Sequence, residues 1–299
     1  MPISSDITPG AILDAAFLKK LERLSLSSRK PFAGQMKGEK RSIKRGTSIE
    51  FADYREYVPG DDLRYVDWNT AARLGKMFLK LFVEEEDLYL ALLIDSSKSM
   101  AFGNPKKADY SIRMAAALGY IGLSNYDRVC VQTFAASLAR PMPTQRGTSG
   151  VLPFFRYLES IKQEGGTSFG TSLKRFAATS KTRGIAVVLS DFFDPDWKDG
   201  VKALVARGFQ VSLVHVLSEE ELAPNLVGDL RIIDSETGEM KEMSVNPQLL
   251  ARYQQTLDAF CADIEAFSHR YGVDYLRTST SFPFDEVVLK HMRQNGLLK

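Results

Sequence analysis

Asp95, Ser97 and Ser99 stand at alternate positions in D-S-S-K-S, directly after the apolar run L-Y-L-A-L-L-I at 88–94. One carboxylate and two hydroxyls at this spacing make a small all-oxygen set, the donor type taken by hard divalent cations. The same residues also suit a plainer arrangement, in which Asp95 caps the next helix and the serines solvate a turn. The run itself has the length and composition of a strand buried on both faces of a sheet. An open α/β sheet places its ligands at the carboxyl ends of such strands.

Two further loops carry residues able to join that set. Gly165-Gly166-Thr167-Ser168 puts a hydroxyl beside two glycines, which admit close approach of backbone and ligand. The run I-A-V-V-L-S at 185–190 reads as a second buried strand and ends at Asp191. If the strands at 88–95 and 185–190 are neighbours in a doubly wound sheet, Asp95 and Asp191 flank the point where strand order reverses. A ligand crevice opens there.

Other motifs compete for the same loop. G-T-S-F-G at 166–170 fits the nucleophile-elbow pattern G-x-S-x-G. That reading makes Ser168 the nucleophile of a serine hydrolase, backed by Asp191 and one of His215, His269 or His291. An elbow requires a preceding strand, whereas V-L-P-F-F-R-Y-L-E-S-I-K at 151–162 has helical spacing, so the hydrolase is the second reading. G-G-T-S-F-G-T-S at 165–172 approaches a phosphate-binding loop, but Thr171 stands where a lysine is needed. The three histidines have no ligand spacing to one another.

The elements that must hold these loops alternate between strand and helix. A helix at 106–123 carries Ile112, Ala115, Ala116 and Gly119 at helical spacing, the small ones among them letting a helix sit close to a sheet. A strand follows at 129–134, with 137–141 as a short edge partner. Helices at 151–161 and 172–178 flank the glycine loop. Beyond the strand at 185–190 come a helix at 201–207, a strand at 210–217, and two short strands at 230–233 and 240–243 that predict a surface hairpin. Asn246-Pro247 opens a long helix with Leu250, Tyr253, Leu257, Phe260, Ile264, Phe267 and Tyr271 on one stripe, ending at Gly272. A strand at 273–276 and a helix at 285–292 close the chain. This alternation predicts an α/β fold with a doubly wound, mostly parallel sheet over 86–299, with the hairpin near 229–244. Ahead of it, 1–85 reads as an extension packing on the core. It comprises a helix introduced by Thr8-Pro9 with Leu13, Phe17, Leu21 and Leu24 on one face, a basic loop, and a β-containing segment with a strand at 77–83.

Composition narrows the function classes. The 39 basic and 37 acidic side chains nearly cancel, so no global field points to nucleic acid or an anionic membrane. The exception is local: Arg29, Lys30, Lys37, Lys40, Arg41, Lys44 and Arg45 face a single acid, Glu39. This run reads first as a solvated loop, then as a docking site for an acidic partner, and last as a nucleic-acid contact. Cys130 and Cys261 sit inside apolar patterns and imply no disulfide framework, which suits a reducing compartment. No signal-peptide pattern is seen and no apolar run approaches the roughly 18 residues of a membrane span. A cytoplasmic location is expected.

D-S-S-K-S, G-G-T-S and V-V-L-S-D together resemble the three parts of the metal-ion-dependent adhesion site of von Willebrand factor A domains. The block R-G-T-S-I-E-F-A-D-Y-R-E-Y-V-P-G-D-D-L-R-Y-V-D-W-N-T-A-A-R is similar to the signature of domain of unknown function 58 proteins, whose C-terminal half is A-like. The resemblance implies Mg²⁺ (or Mn²⁺) held by the Ser97, Ser99 and Thr167 hydroxyls, with Asp95 and Asp191 bound directly or through water. It also implies a non-enzymatic protein-interaction module whose partner offers an acidic residue. Members commonly accompany MoxR-type AAA+ ATPases. Many carry N-terminal membrane spans, a feature not carried over to this sequence.

Overall fold

A computed structural model describes residues 12–28, 49–84, 88–226, 228–233, 238–294 and 296–299. The Thr8-Pro9 pair and the basic run at 29–45 lie outside these residues. In chain order the elements are α1 (Ala15–Leu21), β1 (Ile49–Glu56), α2 (Trp68–Leu74), β2 (Phe78–Glu84), β3 (Tyr89–Asp95), α3 (Lys107–Ser124), β4 (Arg128–Phe134) and β5 (Gln145–Arg146). They continue with α4 (Val151–Glu159), α5 (Phe169–Thr179), β6 (Ile185–Ser190), α6 (Trp197–Arg207), β7 (Gln210–Leu217), α7 (Glu219–Leu222), β8 (Gly228–Ile233), β9 (Met240–Val245), α8 (Pro247–Tyr271) and β10 (Asp274–Ser279). A helical stretch at 284–294 ends the chain, its middle turn Val287–His291 being of π type.

The chain divides into two compact units, Met1–Phe32 with Leu88–Lys299, and Ala33–Asp87. In the larger, six strands form one sheet in the order β10-β7-β6-β3-β4-β5. Numbered from β3, this is the doubly wound order 3-2-1-4-5-6. Every pairing is parallel except that of β4 with β5. β3 and β6 are neighbours in register Leu90↔Ile185 to Ile94↔Leu189, so the order reverses between them, as the placement of Asp95 and Asp191 requires.

Period-two alternation sorts the strand side chains onto two cores. Leu90, Leu92 and Ile94 of β3, with Ile185, Val187 and Leu189 of β6, face a layer that includes α1, α3, α4 and the C-terminal stretch. Ala91, Leu93, Ala186 and Val188 face the layer of α5, α6 and α8. Both faces are covered, which is why these strands read as continuous apolar runs. α1 is capped by Asp14, whose Oδ1 accepts from the Phe17 N–H at 2.6 Å. α8 starts at the expected Asn246-Pro247 and stops at Gly272, where φ of +62° is the left-handed conformation that glycine adopts without strain.

Two local expectations are corrected. The edge strand on β4 is Gln145–Arg146, whereas the segment at 137–141 forms no strand but meets the end of β4 through the bridge of Leu138 to Phe134 and the bond from the Ala139 N–H to Thr133 O at 3.1 Å. Gly119 does not serve the sheet. It faces α4, where the buried Phe154 ring covers it so closely that a Cβ would lie 2.0 Å from Phe154 Cζ. Gly119→Ala is therefore expected to lower stability by about 2 kcal/mol, the overpacking cost exceeding the gain in helix propensity. Urea unfolding checks this, and an unchanged or raised midpoint would show that the ring moves aside freely.

In the smaller unit, β1 and β2 pair antiparallel, from Ile49↔Glu84 to Glu56↔Phe78, with an irregularity between Phe51 and Asp53. α2 is capped by Asp67, which accepts from the N–H groups of Asn69 and Thr70 and from the Tyr54 hydroxyl at 2.8 Å. Of the signature's large residues, Val66 is buried, but Trp68 is 61% exposed and does not act as the core residue its type suggests. The hairpin expected near 229–244 is β8 paired with β9.

Candidate functional site

The site lies at the carboxyl ends of β3 and β6. Asp95 is the last residue of β3 and is 1% exposed. Both of its oxygens are held: Oδ1 accepts from the Ser97 N–H at 3.0 Å, and Oδ2 accepts from the Ser190 hydroxyl of β6 at 2.6 Å. The backbone turn this creates brings the Ser97 and Ser99 hydroxyls to 2.9 Å from each other. That distance is a hydrogen bond between the two hydroxyls, in which either can donate.

The loop carrying Thr167 is fastened to this turn by two backbone bonds. The Lys98 N–H donates to Gly165 O at 3.1 Å, and the Glu164 N–H donates to Ser96 O at 2.9 Å. Gly165 has φ of +74°, a conformation that a side chain would strain. The Lys98 side chain is exposed. On the other side, the chain after β6 turns sharply. Phe192 adopts φ of +59°, an uncommon value for a residue with a side chain, and its N–H donates to Ser190 Oγ at 3.0 Å. Its fully buried ring packs on Phe169, Trp197 and His215, which holds the turn against that strain. The turn aims Asp191, itself 3% exposed, at the same end of the sheet as Asp95.

The electrostatics are those of a place short of positive charge. Burial, and then the neighbouring Asp191 carboxylate, push the Asp95 pKa up to about 7, although the Ser190 and Ser97 hydrogen bonds oppose this. Asp191 is met by the ammonium of Lys107, whose Nζ donates to Asp191 Oδ2 at 2.7 Å and to Glu221 Oε1 at 2.5 Å. Burial works against the Lys107 charge, but the two carboxylates outweigh it and hold its pKa above the ordinary lysine value. Behind Asp191 lies His215, fully buried, with Nδ1 2.9 Å from the Tyr275 hydroxyl and rings of Phe192, Phe193, Phe260 and Tyr275 around it. Burial drives its pKa down to about 3.

All five residues read from the sequence thus lie on the three loops at this end of the sheet, and the backbone bonds join Thr167's loop to the Asp95 turn. Among the described residues no cluster of three His, Cys, Asp or Glu side chains could hold a metal, so a cation here would depend on hydroxyl ligands. Ser168 is the N-cap position of α5, and the loop before it follows α4 rather than a strand, so the strand–turn–helix setting of a nucleophile elbow is not formed. Sequence reading missed Ser190, Lys107 and Glu221, and weighed His215 only as a triad partner in the hydrolase reading. Only Glu221 had a local signal: Ser218-x-x-Glu221 is a capping box, and both of its reciprocal bonds are present. The burial of Lys107 has no signature in its neighbours.

Among the described residues, no helix is long and apolar enough to cross a membrane. The chain is 26% identical over 297 residues to the uncharacterized protein Rv1480 of Mycobacterium tuberculosis, covering 97% of this chain and 93% of the relative. The uncharacterized protein Mb1516 of Mycobacterium bovis matches to the same extent. Solved structures with some likeness include the conserved hypothetical protein BatB from Bacteroides thetaiotaomicron, at 16% identity and a TM-score of 0.44, covering 70% of this chain and 98% of that one. The SpRpn10 VWA domain gives 12% identity and a TM-score of 0.38, covering 69% of this chain and 95% of that one. The family profile described as "Protein of unknown function DUF58" matches residues 53–259, most of the chain, and this protein belongs to that family.

Proposed function

We propose that this protein is a divalent-cation-dependent protein-interaction module, with Mg²⁺ or Mn²⁺ held by Asp95, Ser97, Ser99, Thr167 and Asp191. The observation that carries this reading is a buried carboxylate, Asp95, whose charge the fold leaves poorly compensated, followed in the same turn by two hydroxyls that are hydrogen-bonded to each other. Neutral hydroxyl ligands leave a bound cation electrophilic, so when bound it supplies an attachment point for an incoming carboxylate. The protein's own residues do the rest. Ser190 and the Ser97 N–H orient Asp95, the Gly165 turn seats Thr167, and Phe192 fixes the direction of Asp191. Phe102 and Phe193, each about half exposed and each just beyond a ligand-bearing turn, offer apolar surface to whatever docks. The partner therefore presents a Glu or Asp beside apolar side chains. By family resemblance a MoxR-type AAA+ ATPase is the leading candidate.

Calorimetric titration with Mg²⁺ and with Mn²⁺ tests the site. One binding event is expected, weakened at least tenfold by Thr167→Ala through loss of one ligand. Capture of the MoxR-type ATPase should then fail in excess chelator. Losing the metal from such a charge-assisted contact costs roughly 2–5 kcal/mol. Equal capture with and without chelator would refute the metal-dependent reading.

A further inference from the structure

Among the described residues Lys107 is the largest fully buried side chain that bears a charge, at 1% exposure, and nothing in the metal-site reading calls for it. It stands at the first position of α3 and reaches Asp191 at 2.7 Å and Glu221 at 2.5 Å, carboxylates that are themselves 4% and 14% exposed. Glu221 is in turn fixed by the Ser218 capping box, its Oε2 accepting from the Ser218 N–H at 2.8 Å. The ammonium also lies 5.6 Å from the Phe193 ring centroid. Resting on the metal-site reading above, we infer that Lys107 is a resident counter-cation, a positioning residue that keeps the site assembled without metal and limits how tightly metal binds.

The charges explain why such a residue is needed. With all groups ionised, Asp95, Asp191 and Glu221 against Lys107 leave a net charge of −2, which one divalent ion neutralises. Without Lys107 the buried set is one charge more negative, a costly state in a low-dielectric interior. The ammonium binds Asp191 Oδ2, while Oδ1 accepts from the Phe193 N–H at 3.3 Å. The carboxylate is thereby aimed before any metal arrives. The same ammonium repels a divalent ion approaching Asp191, so affinity is held down and binding stays reversible.

The test separates this role from a purely structural one. Lys107→Met should lower stability in chelator and raise Mg²⁺ and Mn²⁺ affinity about tenfold or more, since a repelling charge has gone. A merely structural lysine would do the reverse, loosening the site and weakening metal binding. Because Lys107→Met leaves three carboxylates without a counter-charge, the double variant Lys107→Met, Glu221→Gln, whose net charge of −2 equals that of wild type, serves as the better-folding companion, and it too should bind Mg²⁺ more tightly because no ammonium then stands against Asp191. Lys107→Arg, which keeps the charge, should retain wild-type affinity. Affinity measured by calorimetry and by the Mn²⁺ paramagnetic signal gives the readout. If wild type binds metal but both neutral variants bind it equally or more weakly, the counter-cation role fails and the metal site stands. If no form binds metal, both fail.

Discussion

Replacing Asp95 with Asn is expected to make the metal-free protein more stable and to abolish divalent-cation binding. Asp95 is 1% exposed, and its ionised form is disfavoured first by burial and then by Asp191. An amide keeps the shape: its oxygen can accept from the Ser97 N–H, and its NH₂ can donate to the Ser190 hydroxyl, which in wild type donates to Oδ2. What disappears is the charge. With a folded pKa of about 7 against an ordinary 3.8, holding Asp95 ionised at pH 8 costs on the order of 2–4 kcal/mol, which Asn does not incur. A stabilised but metal-blind variant is the signature of a residue kept for function. Urea unfolding in chelator, with calorimetry in Mg²⁺, checks both halves. A destabilised Asp95→Asn variant, or one that still binds Mg²⁺ normally, would remove Asp95 from the proposed role.

Acidification should expose two buried groups of opposite sign. His215 has its folded pKa pushed down to about 3 from 6.5, so the unfolded chain takes the proton first and stability is lost as pH falls from 6.5 towards 3. Asp95 has its folded pKa raised to about 7 from 3.8, so the folded state takes the proton first and stability is gained as pH falls from 7 towards 4. Each slope is about 1.4 kcal/mol per pH unit where the two states differ by one proton, and in metal-free wild type they largely cancel between about pH 4 and 6.5. Asp95→Asn unmasks the histidine: stability should fall by on the order of 2–3 kcal/mol from pH 6.5 to 4.5 relative to wild type. His215→Gln should do the opposite, gaining a similar amount relative to wild type over the same range. Exposed carboxylates titrate alike in all three proteins and drop out of the comparison. Parallel pH profiles for wild type and both variants would show that neither group is buried as described.

Much of this site was legible from local residue order. The apolar runs at 88–94 and 185–190 read as strands covered on both faces, and they are so because their side chains alternate between two cores and both sides must be apolar. The turn residues after them, and Asn246-Pro247 with Gly272 around α8, act through backbone groups only a few positions away, so their chemistry shows in sequence. Other features depend on partners far along the chain. Gln145–Arg146 rather than the 137–141 segment forms the edge strand on β4, and Gly119 accommodates Phe154 rather than a strand, because packing across layers decided both. Ser190 holds Asp95 from 95 positions away, and Lys107 reaches Asp191 across 84 positions and Glu221 across 114. The residues proposed to hold a cation were therefore set by sequence, through the loops in which they lie. Their charge balance was decided only by the tertiary structure, because burial, and with it the strength of every charge interaction, exists only once distant segments have closed over the site.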